Sequence, residues 1–418
     1  MALLWTGLAF SAIGDQAYLI ALSWISAAAF GAWAGWLVAL GPASVLITVL
    51  LAGRFADTLA PLPAMMAADA ARAAILLIAV AAWSASGAPP VPALIAAIIV
   101  LGAAQAVFRP ALQVVIPAVV PDPASLPAAN ALLDATERIA RLAGPALAGL
   151  IASVVPLQHL LTLDAATFML SGLALLAIHR RRPVVRVGAQ FRARVGTQFG
   201  AQSSARPVAP GTISVLQAML HGVHVSRRHP VMGWVLGFTG VLNGAWYVAL
   251  FLALPLMLAA DGSGLASFGL VISAYGCTNL AANLYLGSRA MTPRPARQIG
   301  WGNFVLGFGL LAMATAHALP ADWRLAGYML AAAVAAPGGP MQDIPVAVLR
   351  QTAFAPADVP AVMRAYLGVN QAGLLAGMAA APLLLGTFSP AVVIAVCASV
   401  VLGVGLKGIG RFRDEAAQ

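Results

Sequence analysis

The sequence predicts an all-α membrane protein, with twelve transmembrane helices in two pseudo-symmetric bundles of six. Of the 418 residues, 61% are hydrophobic and only 9% are charged, whereas a soluble domain averages about 25% charged residues. Twelve apolar stretches have the length of about 20 residues that a helix needs to cross a bilayer. The two halves of the chain also repeat each other. The composition excludes a soluble protein, and the repeat divides the helices into two equal sets.

The twelve apolar stretches are separated by polar residues or by proline and glycine. Six of them precede a long arginine-rich segment and six follow it. No cleavable signal peptide is expected, because the first stretch begins almost at Met1 and continues past the length of a signal peptide. The predicted spans are 3–29, 32–52, 64–86, 91–119, 127–154, 158–179, 231–258, 264–288, 299–317, 323–351, 362–385 and 388–408.

The segment that joins the sixth span to the seventh is strongly basic. It contains RRRPVVRVGAQFRARVGTQFGAQSSARP, with seven arginines and no acid. The following ISVLQAMLHGVHVSRRHP has the pattern of an amphipathic helix that lies on a membrane surface. We therefore predict an N-terminal six-helix bundle at 1–182, a cytoplasmic linker with an amphipathic helix at 183–230, and a C-terminal bundle with a short cytoplasmic tail at 231–418.

The distribution of basic residues predicts the orientation. If the linker is cytoplasmic, the turns near residues 30, 88, 156, 261, 320 and 386 face outward. These six turns contain a single arginine, Arg324, although the chain has 23 lysines and arginines. Cytoplasmic loops of membrane proteins collect basic residues, so both termini are expected in the cytoplasm.

The two halves repeat with a fixed offset of 235 residues. The repeat relates the loop after the second span to the loop after the eighth, and the fourth span to the tenth. Two parallel six-helix repeats are typical of transporters that work by alternating access, with a substrate site near the middle of the membrane. The residues that coincide are Arg54 with Arg289, Pro110 with Pro345, and Pro121 with Pro356.

Several short motifs carry a family resemblance. GRFAD follows the second span, VFRPALQVVIPAVVP occupies the fourth, and ANALLDATERIARLAGPALAG occupies the fifth. GLVISAYG and VSRRHP follow in the second half. Together they resemble the major facilitator superfamily, and within it the branch that holds the enterobactin exporter and the macrolide efflux pumps. The resemblance implies a multi-pass protein of the bacterial inner (cytoplasmic) membrane.

The resemblance also implies two conformational elements. Gly53, Arg54 and Asp57 correspond to the loop that acts as a conformational gate in the family, with Arg289 in the paired loop. Asp57 is followed by TLAPLPAM, where the family pattern continues with basic residues. In the fifth span, GPALAG resembles the glycine-rich antiporter motif, with alanine at two positions where glycine is usual. The residues that keep this motif are Gly144, Pro145 and Gly149.

Polar residues inside the apolar spans are the candidates for a substrate site, because they must face water, a partner or a cavity. The first, fourth, seventh and eighth spans carry such residues at spacings of three or four, and the tenth carries two adjacent ones after PGGP. The resemblance places four of these spans along the central pathway. The substrate-cavity candidates are Tyr18, Gln105, Arg109, Arg138, Arg141, Thr239, Asn243, Trp246, Asn279 and Gln342.

Intramembrane carboxyl groups are the candidates for proton coupling. The favoured ones are Asp15 and Glu137, followed by Asp134 and Asp343. In the fifth span, Asp134–Arg138 and Glu137–Arg141 are acid-to-base pairs at the favourable i, i+4 spacing. Three alternatives stay open: an Asp15–Arg109 ion pair, a structural Asp69–Arg72 pair, and Asp164 either as a neutral hydrogen-bonding acid or in proton transport.

The function that these features predict is secondary transport, with proton-coupled efflux of a siderophore or a similar organic molecule. Proton-driven multidrug or macrolide efflux, and uptake of a siderophore or nutrient, are the alternatives. No catalytic or nucleotide-binding motif suggests an enzyme. The expected partners are a small organic substrate, protons and the lipid bilayer, without nucleic acid, cofactor or metal, and the protein is expected to be a monomer.

Overall fold

All regular structure that the computed structural model describes is helical. The described residues are 2–56, 60–119, 126–181, 215–289, 292–355 and 358–412. The first half of the chain forms six helices, each of which corresponds to one of the first six predicted spans. They are α1 (Ala2–Phe30), α2 (Ala34–Ala56), α3 (Pro61–Ser86), α4 (Val91–Val119), α5 (Leu126–Val154) and α6 (Gln158–Arg181).

The second half begins with the amphipathic helix that the sequence predicts, α7 (Val215–Arg228). The seventh span is one continuous helical segment, in which a π-helical turn (Val248–Ala253) separates α8 (Pro230–Tyr247) from α9 (Leu254–Ala260). The tenth span is divided at the PGGP sequence. The remaining helices are α10 (Leu265–Gly287), α11 (Pro295–Ala316), α12 (Ala321–Ala335), α13 (Gly338–Thr352), α14 (Val359–Thr387) and α15 (Pro390–Arg411).

Proline and glycine set many of these boundaries. Proline is the first residue of α3, α8, α11 and α15, where its missing N–H costs no helical hydrogen bond. α1 passes into α2 through a single 3-10 turn (Gly31–Trp33), in which Gly31 has φ +52°. α3 ends at Gly87, which has φ +68° and donates its N–H to the carbonyl of Trp83. These left-handed conformations favour glycine because it has no Cβ.

Nine helical stretches of the described residues are long and apolar enough to cross a membrane. The first of them, Leu3–Thr48, runs through both α1 and α2. The apolar part of α5, Ile139–Val154, is shorter, and the tenth predicted span is split between α12 and α13. These three cases account for the difference from twelve. The chain is therefore an all-α, multi-pass membrane protein, as the sequence predicts.

The chain divides into two compact units that do not follow the sequence halves strictly. The first unit comprises Met1–Asp15, Leu40–Ala140 and Gln158–Ser214. The second comprises Gln16–Ala39, Arg141–Leu157 and Val215–Gln418. The end of α1, the beginning of α2 and the end of α5 thus belong with the helices of the second half. The division into bundles at 1–182 and 231–418 stays a prediction.

Each unit has its own packed interior. In the first unit, α1, α3, α4 and α6 share an apolar core that includes Leu4, Met65, Phe108 and Leu175. In the second unit, glycines allow close helix contacts. A Cβ at Gly269 of α10 would lie 2.5 Å from the carbonyl oxygen of Pro145 in α5, so only glycine fits there without displacement.

Candidate functional site

Arg109 and Glu137, two charged residues of the first unit, form a partly exposed ion pair. Nη1 of Arg109 in α4 lies 3.0 Å from Oε1 of Glu137 in α5. The two side chains are 58% and 40% exposed. An ion pair of this kind is far too costly to place against lipid hydrocarbon. The pair therefore faces water.

Glu137 is positioned by a neighbouring contact with α1. Nε1 of Trp5 donates a hydrogen bond to Oγ1 of Thr136 at 2.8 Å. Thr136 in turn donates to the carbonyl of Leu132 in its own helix, at 2.7 Å. This chain of bonds fixes α5 against α1 at the residue that precedes Glu137.

A second, buried pair lies one helix away. Arg72 of α3 has a side chain that is only 3% exposed, and its Nη1 is 3.5 Å from Oδ1 of Asp69. The structure thus contains the Asp69–Arg72 pair considered from the sequence. The guanidinium also lies over the rings of Phe108 and Phe168, at 5.0 and 5.1 Å from their centroids. These stacking contacts compensate in part for the lost hydration of the cation.

Gln105 connects the two pairs. Nη2 of Arg72 donates a hydrogen bond to Oε1 of Gln105 at 3.1 Å. Gln105 and Arg109 are four residues apart in α4 and therefore lie on the same side of that helix. Asp15 of α1 belongs to the same group, because the charges of Arg72, Arg109 and Glu137 all act on it. Two of the predicted proton-coupling residues, Asp15 and Glu137, are thus brought together.

Other predicted residues of α5 have different positions. The ion pair that the structure shows for Glu137 is with a neighbouring helix, whereas the sequence suggested Arg141 in the same helix. Arg141 has an exposed side chain and belongs to the second unit. The side chains of Asp134 and Arg138 lie outside the described residues, so their pairing stays a prediction.

The second unit carries a separate group of polar residues on α8, α10 and α14. Nδ2 of Asn243 donates a hydrogen bond to Oδ1 of Asn370. Asn279 donates to the carbonyl oxygen of Ala336 at 3.1 Å, and its own Oδ1 accepts a bond from Asn283 at 3.0 Å. The two predicted asparagines therefore hold helices together in this conformation, and Thr239 is buried beside them on α8.

An aromatic cluster surrounds the π-helical turn of the seventh span. We define it as Trp246, Tyr247, Phe251 and Tyr275. The ring of Trp246 lies 5.4 Å from that of Phe251 and 6.2 Å from that of Tyr275, between centroids. Tyr247 stacks on Phe251 at 4.8 Å. The predicted residue Trp246 is thus part of a larger aromatic surface, and π-helical turns often accompany functional sites.

α13 faces the same region with small and polar residues. A Cβ at Gly339 would lie 3.1 Å from Nδ2 of Asn279 and 3.7 Å from the hydroxyl of Tyr275. Asp343 is four residues further along α13, its side chain is exposed, and its charge acts on Tyr275. Gln342 is half-buried beside it. Backbone thus approaches the aromatic cluster closely, next to a carboxylate.

The remaining predicted residues fall outside both groups. Tyr18 is buried in the part of α1 that belongs to the second unit. Gly144 and Pro145 are buried, and Gly149 packs against Ala266 of α10. The guanidinium of Arg289 lies 4.4 Å from the ring centroid of Tyr285. Of the predicted gate, Gly53 lies near the end of α2, whereas Asp57 and the side chain of Arg54 lie outside the described residues.

The sequence matches a known protein family over most of its length. The model of the Major Facilitator Superfamily matches residues 4–342. An uncharacterized MFS-type transporter of Sinorhizobium fredii, y4rN, is 25% identical over 352 residues, covering 83% of this chain and 78% of its own.

Among solved structures, a bacterial homologue of the iron transporter ferroportin in its inward-facing state is similar with a TM-score of 0.73 at 14% identity, covering 100% of this chain and 98% of its own. The nucleoside transporter NupG is similar with a TM-score of 0.70 at 13% identity, covering 99% and 98%. At these identities the likeness shows the fold.

Proposed function

Because the chain belongs to the Major Facilitator Superfamily, we propose that it is a proton-coupled transporter that exports a medium-sized organic molecule by alternating access. Membership of this family of transporters implies a small-molecule substrate and a position in a membrane. In this proposal the membrane is the bacterial inner membrane, and both termini and the linker at 183–230 face the cytoplasm. The protein works as a monomer, with an N-terminal bundle at 1–182 and a C-terminal bundle at 231–418.

The observation that carries this proposal is the Arg109–Glu137 pair. Two opposite charges on two predicted membrane spans lie 3.0 Å apart, and both remain substantially exposed. A carboxylate in this position can take up a proton from water, and protonation removes its attraction for the guanidinium. Proton binding at Glu137 then frees Arg109 to interact with another group. Coupled transport requires that proton binding at one group changes the interactions of another group in this way.

The electrostatic environment supports Asp15 as a second coupling residue. Its charge interacts with Arg72, Arg109 and Glu137, so a change of protonation at Asp15 or at Glu137 is felt by the other. Asp343, in the second unit, and Asp134 remain further candidates.

Two substrate classes fit different parts of the molecule. Arginines favour an oxygen-rich anion such as a catecholate siderophore. Arg109, however, is already neutralised by Glu137 in this conformation. The aromatic cluster and the exposed Asp343 favour an amphiphilic drug, since rings supply a large apolar contact surface. We therefore keep macrolide or multidrug efflux as the second candidate function.

Transport by purified protein in proteoliposomes tests the proposal. Vesicles of inside-out orientation are given an acidic lumen, and uptake of labelled enterobactin and of labelled erythromycin is measured. Export predicts accumulation of one of the two in the lumen, and its loss when a protonophore collapses the gradient. Accumulation only in right-side-out vesicles under an inward proton gradient would show uptake instead. Accumulation that survives the protonophore would exclude proton coupling.

Two variants test whether the aromatic cluster binds the substrate. Trp246→Ala removes the centre of the aromatic cluster and should abolish the increase in unfolding temperature that the bound substrate gives. Phe308→Ala is the matched control, because Phe308 is 52% exposed on α11 and is not part of the cluster. Equal stabilisation of both variants by the substrate would exclude the aromatic cluster as its site.

A further inference from the structure

The deepest carboxyl group of the first unit is Asp164 of α6. The residue is 0% exposed. Its Oδ1 is 3.3 Å from the hydroxyl of Thr167, which also donates to the Asp164 carbonyl at 2.7 Å. Its Oδ2 is buried and has no hydrogen-bond partner in the described parts of the chain. A buried carboxylate with an unsatisfied oxygen is one of the most costly groups that a membrane helix can hold.

Asp164 lies directly against the backbone of α1. A Cβ at Gly14 would lie 2.5 Å from Oδ1 of Asp164 and 2.4 Å from the Thr167 hydroxyl. Only glycine leaves room for a polar group at this crossing of α1 and α6. The next residue of α1 is Asp15, whose charge acts on Asp164. The crossing thus brings two carboxyl groups from different helices to one place.

Three carboxyl groups of this region share one buried cation. Asp69 of α3 is also buried, with its own Oδ2 unpartnered among the described residues, and Ser171 of α6 is a hydrogen-bond partner of its side chain. In the described part of this unit, Arg72 is the one buried cation for the three carboxyl groups Asp15, Asp69 and Asp164. Arg109 and Glu137 neutralise each other. If all three were ionised, Arg72 could neutralise only one of them. Asp69 and Asp164 are buried and Asp15 is half-buried, so excess negative charge would lie away from water at a considerable cost.

We propose that Asp164 binds a proton and exchanges it with Asp15 across the Gly14 contact, with Arg72 as the fixed counter-ion. The O–H bond of the Asp164 acid breaks, and an O–H bond to the Asp15 carboxylate forms. No electron is transferred, and Arg72 stays charged.

This inference rests on the proposed proton coupling and extends it from the exposed Glu137 to a buried site. Glu137 is 40% exposed and ion-paired with Arg109. Asp164 is 0% exposed, and no cation of the described residues lies within ion-pair distance of it, which favours the neutral acid. Asp164 interacts electrostatically with Asp15 of α1 and Arg72 of α3, and through a hydrogen bond with Thr167 of its own helix. Asp15 interacts in turn with the charges of Asp69 in α3, Arg109 in α4 and Glu137 in α5.

Infrared spectroscopy of the protein in lipid vesicles tests whether Asp164 carries a proton, and this measurement needs no substrate. A protonated carboxyl group has a carbonyl stretching band that an ionised one lacks. We expect the wild type to show such a band at neutral pH and Asp164→Asn to lose it. Asp322→Asn is the matched control, because Asp322 is an exposed acid at the start of α12, and it should leave the band unchanged. A band that survives in Asp164→Asn overturns the assignment.

A second variant keeps the test decisive if Asp164→Asn does not fold. Thr167→Val has nearly the same shape and removes the hydroxyl 3.3 Å from Asp164. A protonated Asp164 responds to this loss of a hydrogen-bond partner with a shift of its carbonyl band. An unchanged band contradicts the proposal, because the band then belongs to another carboxyl group.

Transport separates failure of this inference from failure of proton coupling. Proteoliposomes are loaded with the substrate, enterobactin or erythromycin, that the wild type moves. Asp164→Asn should lose accumulation driven by a proton gradient and keep exchange of labelled for unlabelled substrate. Full proton-driven accumulation in Asp164→Asn overturns the role of Asp164 while the proposed function stands. If the wild type shows the Asp164 band but no proton-driven transport, the result supports the proton site at Asp164 and contradicts the proposed proton coupling.

Discussion

Arg72 donates a hydrogen bond to Gln105 at 3.1 Å and so connects the interior of the first unit to its exposed ion pair. On one side of this bond lies the buried Asp69, 3.5 Å from Arg72. On the other, Arg109 follows Gln105 by one turn of α4 and pairs with Glu137 at 3.0 Å. An uncharged residue thus links two ion pairs of very different exposure. A change of charge in one pair can reach the other through a single side chain.

We predict that Arg72→Met destabilises the protein by about 3–5 kcal/mol, because it leaves the buried Asp69 without its cation. The double variant Asp69→Asn with Arg72→Met should recover much of this loss, since both charges are removed together. Thermal unfolding in detergent measures the effect. Gln105→Leu, which removes one partner of a charged group, should cost about 1–3 kcal/mol. If the double variant is no more stable than Arg72→Met alone, Asp69 is not ionised beside Arg72.

We predict that Glu137→Gln abolishes transport driven by a proton gradient and leaves the unfolding temperature close to that of the wild type. The side chain is 40% exposed, so its ion pair contributes little to stability. The reason for the functional loss is that glutamine can accept a hydrogen bond from Arg109 but cannot release a proton. The pH dependence of transport in proteoliposomes is the measurement. Normal transport across the pH range would make the pair structural and leave the coupling role to Asp15 and Asp164.

Glycines of the second unit differ in how much room they leave for a Cβ, so alanine substitutions should change its stability to different degrees. A Cβ at Gly269 would lie 2.5 Å from the Pro145 carbonyl oxygen, and one at Gly149 would lie 3.0 Å from Cα of Ala266. Gly269→Ala should therefore destabilise the unit more than Gly149→Ala. Gly237→Ala is the control, because no described residue outside its own stretch of helix has an atom within 4 Å of the added Cβ. At that position alanine should stabilise α8 by about 0.5–1 kcal/mol, since glycine is a poor helix former. Unfolding temperatures in the reverse order would show that the α5–α10 contact is not maintained in solution.

The sequence predicts where the helices lie along the chain, but it does not predict which helices pack against each other, and the reason is physical. Apolar length and proline positions are local, so α3, α8, α11 and α15 begin within a few residues of the expected places. The i, i+4 rule considers only one helix, and it suggested Arg141 as the partner of Glu137. The observed partner, Arg109, depends on how α4 packs against α5, and the sequence has no local signal for it. The role of Asp164 stayed open for the same reason, since it depends on a glycine in another helix.

Asp261 is at the centre of a cluster of charged and polar groups in the second unit. Asp261 lies in the turn after α9, and its side chain is only 9% exposed. Oδ1 accepts a hydrogen bond from Nη1 of Arg324 at 2.6 Å, and Oδ2 accepts one from the hydroxyl of Tyr328 at 2.8 Å. Nδ1 of His317 lies 3.1 Å from the same hydroxyl. One carboxylate therefore joins the turn to the start of α12 and the end of α11.

We predict that Asp261→Asn lowers the unfolding temperature more than removal of any single partner. The amide carries no charge for Arg324, and a single amide oxygen cannot replace both carboxylate oxygens. Tyr328→Phe should cost about 0.5–1.5 kcal/mol, the net contribution of one hydrogen bond. Arg324→Gln should cost more than Tyr328→Phe at low ionic strength, and the difference should decrease in concentrated salt because screening weakens the ion pair. The control is Asp358→Asn, whose 3.2 Å contact with His221 is more exposed; an equal loss in that variant would show that the partial burial of Asp261 adds nothing to its strength.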